Sequence, residues 1–415
     1  MKVRIEANKL RGKVAAPSSK SLAHRDIILA ALAGGQAEIK LNNFCEDIEV
    51  TVEALKNLGF NVGKNNDSYL LKEREKIKKG KIDFKESGSS LRFILPLANY
   101  FAKEVYCSAG SYLSKRPIKE LLDQLRANNF LISSDKLPFE LRGEFIGGEF
   151  SFPGNITSQY ISGILMAASK VNKLTKIIVK GPLQSRPYID LTVDELKKFG
   201  TDVQAGENFY KIRGGKLKIP ETINIEGDWT NAAVFICANY MGSNIKISNL
   251  KIDSIQGDKK ILEIVKAMGS KVFFENGILT NTGGYEKEME IDISDIPDLG
   301  PVLAVILASS EKKSRLIKAS RLRLKESDRL ESISKMINNL GARAKIIGDT
   351  LEISGRIVGG KVNSFNDHRI VMAAILASTF AKENIIIEGA EAVEKSYKKF
   401  FEDFKSLGGN FVCYR

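Results

Sequence analysis

One pattern recurs six times along this chain and limits what it can fold into. Segments 47–60, 116–130, 188–201, 258–270, 328–342 and 396–409 each carry apolar residues at helical spacing and then stop. The stops fall at Gly59, Asn129, Gly200, Gly269, Gly341 and Gly408. Glycine, and next to it asparagine, suits the left-handed position that ends a helix. The period is about 70 residues, one sixth of the 415-residue chain. Upstream of each segment lies a second helical stretch, at 27–34, 93–102, 161–169, 232–242, 301–310 and 370–381, built from small and apolar residues. These are apolar nearly all round, so they should be the buried helices. Between the helices, β-branched runs such as 176–181, 244–250 and 384–389 read as strands. Six α/β units of this size predict a repeat architecture and exclude a single open sheet.

What precedes each buried helix is polar: Ser18-Ser19-Lys20-Ser21, Ser87-Gly88-Ser89-Ser90, Thr157-Ser158-Gln159, Asp228-Trp229-Thr230-Asn231, Asp295-Ile296-Pro297-Asp298 and Asn366-Asp367-His368-Arg369. Capping accounts for the hydroxyls and carboxylates. It does not account for the Lys, Gln, Arg and His beside them. A helix start offers unpaired N–H groups and the positive end of a dipole, so it favours an anion. Lys20, with Arg25 about a turn later, would add full charges there. If the starts point one way, six polar helix ends converge on a cleft between two halves of three units each.

Composition narrows the classes further. With 43% hydrophobic and 27% charged residues, the chain is that of a folded, soluble protein. No apolar run is long enough to span a bilayer, and residues 1–6 hold no apolar signal region, so a cytoplasmic protein is expected. Cys45, Cys107, Cys237 and Cys413 form no CxxC pair, and only His24 and His368 are available as imidazole ligands. Buried thiols are expected, and neither disulfides nor a metal site. The net charge of +13 suits either nucleic acid or small polyanionic substrates. The lysines are spread out, with no dense basic block, and charge alone does not choose.

The motifs do choose. Together with the helix starts above, Ser87-Gly88-Ser89-Ser90-Leu91-Arg92, Lys115-Arg116-Pro117-Ile118, Ser185-Arg186-Pro187-Tyr188, Ile296-Pro297-Asp298, Lys325-Glu326-Ser327-Asp328-Arg329 and Asp367-His368-Arg369 stand in an order that resembles the enolpyruvyl transferases. The match is to the branch whose acceptor is shikimate 3-phosphate, and it runs from Ser19 to Lys395. The resemblance implies a two-domain inside-out α/β barrel of six βαβαββ-type repeats, three per domain, with the active site in the interdomain cleft. It implies an inserted domain at 14–226 on the shikimate 3-phosphate side. Residues 1–13 with 227–415 would form the other, which contributes Asp298, Lys325, Arg329, Arg369 and Lys395.

The implied reaction moves the enolpyruvyl group of phosphoenolpyruvate to the 5-hydroxyl of shikimate 3-phosphate, through a tetrahedral adduct, in the route to chorismate and the aromatic amino acids. Both substrates carry a phosphate and a carboxylate, so the site must be strongly cationic. By match to the family motifs, Lys20, Gly88, Arg116, Gln159, Arg329, Arg369 and Lys395 surround phosphoenolpyruvate. Lys20, Ser21, Arg25, Thr157, Ser158, Gln159, Ser185, Tyr188, Asp298 and Lys325 hold shikimate 3-phosphate. Asp298 is the expected base on the 5-hydroxyl, with Glu326 and Lys20 as candidates for proton transfer at C3. Gly88 is plausible on its own terms, since a missing Cβ lets a ligand approach the backbone. The expectation includes no metal, no cofactor, no nucleic acid and no membrane partner, and a monomer.

Each residue also has an ordinary reading. Asp298 could be only a cap ahead of Pro301, Glu326 and Arg329 an exposed helix pair, and Asp367 a cap of the last buried helix. The sequence also departs from the pattern. Glu86 stands where many members have Asn, Phe93 where some have Pro, Arg321 where many have Asn, and His24 replaces an Asn. The first three departures bear on inhibitor sensitivity rather than on the reaction, and His24 reads as a packed histidine. The sister enzyme acting on UDP-N-acetylglucosamine would need a reactive loop cysteine, and 110–116 has none. An RNA 3′-phosphate cyclase would need a catalytic histidine, and His368 already belongs to the aspartate-histidine-arginine motif. A nucleic-acid-binding repeat protein would have no use for carboxylates among its cations.

Overall fold

The computed structural model describes residues 1–414. The chain divides into two compact units, Met1–Ser18 with Glu226–Arg415, and Ser19–Ile225. Its helices alternate in kind: α1 (Lys20–Ala33) and α2 (Glu46–Lys56), α3 (Gly88–Ile94) and α4 (Lys119–Ala127), α5 (Ser158–Ala168) and α6 (Arg186–Lys198). Then follow α7 (Trp229–Tyr240) and α8 (Ile261–Ala267), α9 (Gly300–Leu307) and α10 (Arg329–Asn339), α11 (His368–Ser378) and α12 (Phe400–Ser406). The even-numbered helices are the amphipathic repeats. All six predicted stops are left-handed, from φ 71 at Asn129 to φ 95 at Gly59.

The odd-numbered helices form the centre of each unit. Every residue of α7, α9 and α11 is buried, as are nearly all of α1 and α5. Each large aliphatic side chain removed from water contributes about 1.5–3 kcal/mol. A helix buried on all sides can show polar groups only at its ends, and that confines the chemistry to the helix starts. Side-chain caps hold five of them, from Ser19, Ser87, Thr157, Asp228 and Asp367. At α9 a turn of 3₁₀ helix, Pro297–Leu299, leads in and no side chain caps it.

There are six four-stranded sheets among the described residues, three in each unit. All share one plan: a parallel pair, then two antiparallel additions. In four of them the parallel strands flank their own buried helix, as Lys79–Asp83 and Glu104–Ser108 flank α3. The other two exchange a strand. Arg11–Ala15 precedes α1 in the chain but pairs with Asn244–Ser248, the strand after α7. Conversely Ile223–Asn224 precedes α7 but pairs with Ala37–Lys40, the strand after α1. Each passage between units therefore lies between a strand and the helix that follows it. Because Arg11–Ala15 is bonded into the first unit and Ser18 bridges to Gly227, the passage falls after Ser18, not after residue 13 as the sequence suggested. Strand Lys2–Ile5 completes the last sheet, between Ile385–Glu388 and Phe411–Tyr414. Each unit has its own core. No helix among the described residues is long and apolar enough to cross a membrane.

Candidate active site

In the Ser19–Ile225 unit the polar starts of α1, α3 and α5 are tied together. Lys20 opens α1, and its Nζ lies 2.7 Å from Asp47 Oδ2 at the start of α2, with both side chains about nine-tenths buried. Arg25 is buried one turn further on. Its Nε donates to Thr192 Oγ1 (2.8 Å), Nη1 to the Ser21 carbonyl (2.6 Å) and Nη2 to the Tyr188 carbonyl (2.7 Å). Arg25 thus joins two expected substrate residues through their backbones. Burial pushes its guanidinium down to about 10, against the pull of Glu195 and Asp26, so it stays charged at neutral pH. Ser185, in the left-handed region at φ 56, turns the chain into α6.

Gln159, in the first turn of α5, donates from Nε2 to Ser89 Oγ (2.9 Å) and accepts from Arg92 Nη1 (3.1 Å). Arg92 also bonds the carbonyls of Gly88 (3.2 Å) and Pro117 (2.9 Å). Gly88 has a physical reason different from the expected one. A Cβ there would stand 2.5 Å from Arg92 Nη1 and 2.7 Å from Arg116 Nη1, so the glycine makes room for two guanidinium groups. Glu86 accepts the backbone N–H groups of Tyr112 (3.3 Å) and Leu113 (2.7 Å), which braces the turn before Arg116 against the Gly88 loop. Thr157 Oγ1 caps α5 by accepting from the Gln159 N–H (3.2 Å), and Ser158 beside it is buried.

The other unit collects charge of both signs. Asp298 Oδ1 lies 2.9 Å from Lys325 Nζ and 2.8 Å from Arg329 Nη1. Arg329, the first residue of α10, is fully buried and grips Asp367 with two bonds, Nε to Oδ2 (2.8 Å) and Nη2 to Oδ1 (3.1 Å). Its Nη2 also bonds Glu326. At α11, Arg369 Nη1 donates to Asn231 Oδ1 (2.8 Å) at the start of α7, and Lys395 Nζ to the Asn366 carbonyl (2.7 Å). Burial pushes the Asp298 carboxyl up, but Lys325, Arg329 and Arg369 outweigh it and hold it well below the usual carboxylate range. Asp258, buried beneath and bonded to Thr230, goes the other way. Burial and the Asp298 charge push it up to about 7. Burial also lowers the Lys325 ammonium, with Arg329 and Arg321 adding to it against Asp298.

Of the expected residues, Lys20, Ser21, Arg25, Gly88, Arg116, Thr157, Ser158, Gln159, Ser185 and Tyr188 lie in the Ser19–Ile225 unit, and Asp298, Lys325, Glu326, Arg329, Arg369 and Lys395 in the other. The ordinary readings of Asp298 and Arg329 do not hold, because the N-cap of α9 is Leu299, Asp298 pairs with Lys325 and Arg329, and Arg329 is buried among three carboxylates. Asp367 does cap α11, and binds Arg329 as well. Three partners were not among the expected site residues: Asp47 on Lys20, Arg92 on Gln159 and Asn231 on Arg369. Each stands at a helix start or one turn inside it, which was the signal available. Cys107 lies buried in a strand, where burial pushes its thiol up to about 12, far from a reactive nucleophile.

Six such repeats, with charged helix starts in both units, are the build of the enolpyruvyl transferase fold. The chain superposes on an EPSP synthase from Acinetobacter baumannii with TM-score 0.81 at 24% identity, over 99% of this chain and 100% of that one. It superposes on the enolpyruvyl transferase NikO from Streptomyces tendae with TM-score 0.80 at 16% identity, over 99% and 98%. In sequence it is 39% identical to a 3-phosphoshikimate 1-carboxyvinyltransferase of Clostridium perfringens, over 98% of each chain. It is 37% identical to one of Clostridium novyi, over 98% of this chain and 97% of that one. The model of the EPSP synthase (3-phosphoshikimate 1-carboxyvinyltransferase) family matches residues 5–404, and the chain belongs to that family.

Proposed function

We propose that this chain transfers the enolpyruvyl group of phosphoenolpyruvate to the 5-hydroxyl of shikimate 3-phosphate and releases inorganic phosphate. Addition forms a C–O bond at C2 of phosphoenolpyruvate while C3 gains a proton. Elimination then breaks the C–O bond to phosphate and returns the C3 proton. Lys20, Ser21, Arg25, Thr157, Ser158, Gln159, Ser185, Tyr188, Asp298 and Lys325 hold shikimate 3-phosphate. Lys20, Gly88, Arg116, Gln159, Arg329, Arg369 and Lys395 hold phosphoenolpyruvate. In this reading the protein is a cytoplasmic monomer that acts on small molecules.

The observation that carries the roles is Asp298, a carboxylate held ionised by Lys325, Arg329 and Arg369. A carboxylate amid anion-binding cations repels substrate unless it handles a proton, and Asp298 is the base for the 5-hydroxyl. Its low proton affinity in the free protein has a use. When two anions arrive and neutralise those cations, the carboxylate becomes a stronger base at the moment it is needed. Glu326, on Arg329 Nη2, and Lys20, on Asp47, are the groups for C3. The test is Asp298→Asn, which removes a negative charge and so should bind both substrates at least as tightly. Turnover should fall about a hundredfold or more. Near-normal turnover would take Asp298 out of the base role.

A further inference from the structure

The proposed reaction has no use for His24, although it sits in the same helix start as Lys20 and Arg25. It is fully buried. Its Nδ1 lies 2.7 Å from Thr51 Oγ1, and Thr51 Oγ1 lies 2.7 Å from Ser90 Oγ. Ser90 Oγ donates to the Asp47 carbonyl at 3.3 Å and lies 2.7 Å from Ser87 Oγ. His24 belongs to α1, Thr51 to α2 and Ser90 to α3, so the chain of bonds stitches three helices together. Each of those helices carries at its start a group of the candidate site: Lys20 on α1, Asp47 on α2 and Gly88 on α3.

The tautomer follows from the two ring nitrogens. Nε2 is buried with no hydrogen-bond partner, and leaving a lone pair there is less costly than leaving an N–H, which puts the proton on Nδ1. Nδ1–H then donates to Thr51 Oγ1, whose single hydrogen can go on to Ser90 Oγ, and the Ser90 hydrogen to the Asp47 carbonyl. Burial, aided by the charges of Lys20 and Arg25, pushes the imidazole well below its ordinary value and keeps it neutral. The ring is further fixed edge-on to Phe93, with centroids 6.3 Å apart.

We propose that His24, as the Nδ1–H tautomer, is a positioning residue that heads a one-way hydrogen-bond chain through Thr51 and Ser90. That chain locks α1, α2 and α3 in the register that sets Lys20 on Asp47 beside Gly88. The inference rests on the proposed reaction for its kinetic consequence and on geometry alone for its tautomer. Only two histidines occur in the chain, so ¹⁵N-histidine labelling gives two imidazoles, and His368→Gln assigns them. Nδ1 of His24 should be the protonated, pyrrole-type nitrogen, unchanged between about pH 8 and about pH 5. His24→Leu removes the donor, His24→Gln moves it one carbon outward, and His24→Asn keeps an N–H as many bonds from Cα as Nδ1. Turnover should fall about tenfold in the Leu and Gln variants and be largely kept in the Asn variant. An Nε2–H tautomer would overturn the proposal, even if the Leu variant failed to fold. So would near-normal turnover in the Leu variant, or equal losses in the Asn and Leu variants. A wild-type protein with no transfer activity would instead defeat the proposed reaction, because the tautomer is read without substrate.

Discussion

Asp367→Asn tests whether Arg329 is held by a buried ion pair. Asp367 is fully buried and accepts four bonds. Oδ2 takes Arg329 Nε (2.8 Å) and Ser327 Oγ (3.1 Å), while Oδ1 takes Arg329 Nη2 (3.1 Å) and the Arg369 backbone N–H (2.9 Å). Asparagine fits the same space but replaces one of those oxygens with a donor. With the NH₂ on the Oδ1 side it faces two N–H groups and two bonds are lost; on the Oδ2 side Ser327 Oγ can accept from it, and the Arg329 Nε bond is lost. Either way an arginine N–H loses its charged acceptor. A hydrogen bond to a charged group is worth about 1.5–3 kcal/mol and a neutral one about 1 kcal/mol. Breaking a buried pair costs about 3–5 kcal/mol. Arg329 keeps Asp298 and Glu326, so the lower end applies, about 3 kcal/mol. For a unit of this size that is a fall of roughly 6–12 °C in Tm, read by calorimetry. The same variant should weaken phosphoenolpyruvate binding more than shikimate 3-phosphate binding. A loss under about 1 kcal/mol would refute the reasoning, because it would make the pair no stronger than an exposed one.

Three further outcomes follow from the same geometry. In ¹³C NMR of labelled aspartate, with Asp298→Asn for assignment, Asp298 should titrate below the usual carboxylate range in the free protein and higher with both substrates bound. An unchanged or lower value on binding would contradict the tuning argument. Gly88→Ala puts a methyl group 2.7 Å from Arg116 Nη1, so KM for phosphoenolpyruvate should rise about tenfold with a smaller effect on shikimate 3-phosphate; equal effects on both would argue that Arg116 does not serve phosphoenolpyruvate. Asp258 is raised to about 7, so between about pH 4 and about pH 7 the folded state holds a proton that the unfolded state has released, and stability falls as pH rises through that window. Asp258→Asn should remove this slope, gaining stability relative to wild type across the window; parallel curves of Tm against pH would contradict it.

Much of the fold could be read from residues with a local cause. A left-handed stop favours Gly or Asn whatever surrounds it, so six stops at one spacing predicted six repeats, and all six are left-handed. Uniformly apolar stretches predicted the buried helices for the same reason. Pairings across the sequence were less visible. Nothing local says that Asp47 meets Lys20 across 27 residues, or that Arg92 meets Gln159 across 67, because those distances are set by how the helices pack. The exchanged strand shows the same limit: nothing local in Arg11–Ala15 names its neighbour, and only its partner 233 residues on decides to which unit it belongs. Gly88 was singled out for the approach of a ligand to the backbone. Two arginine side chains occupy that approach, which a sequence motif does not distinguish from a ligand.

The most direct test of the account is phosphate release from phosphoenolpyruvate, followed with shikimate 3-phosphate or UDP-N-acetylglucosamine as the acceptor. Release should occur with shikimate 3-phosphate alone, with one enolpyruvyl ether formed per phosphate. Release with the sugar nucleotide, or with neither acceptor, would contradict the proposed reaction.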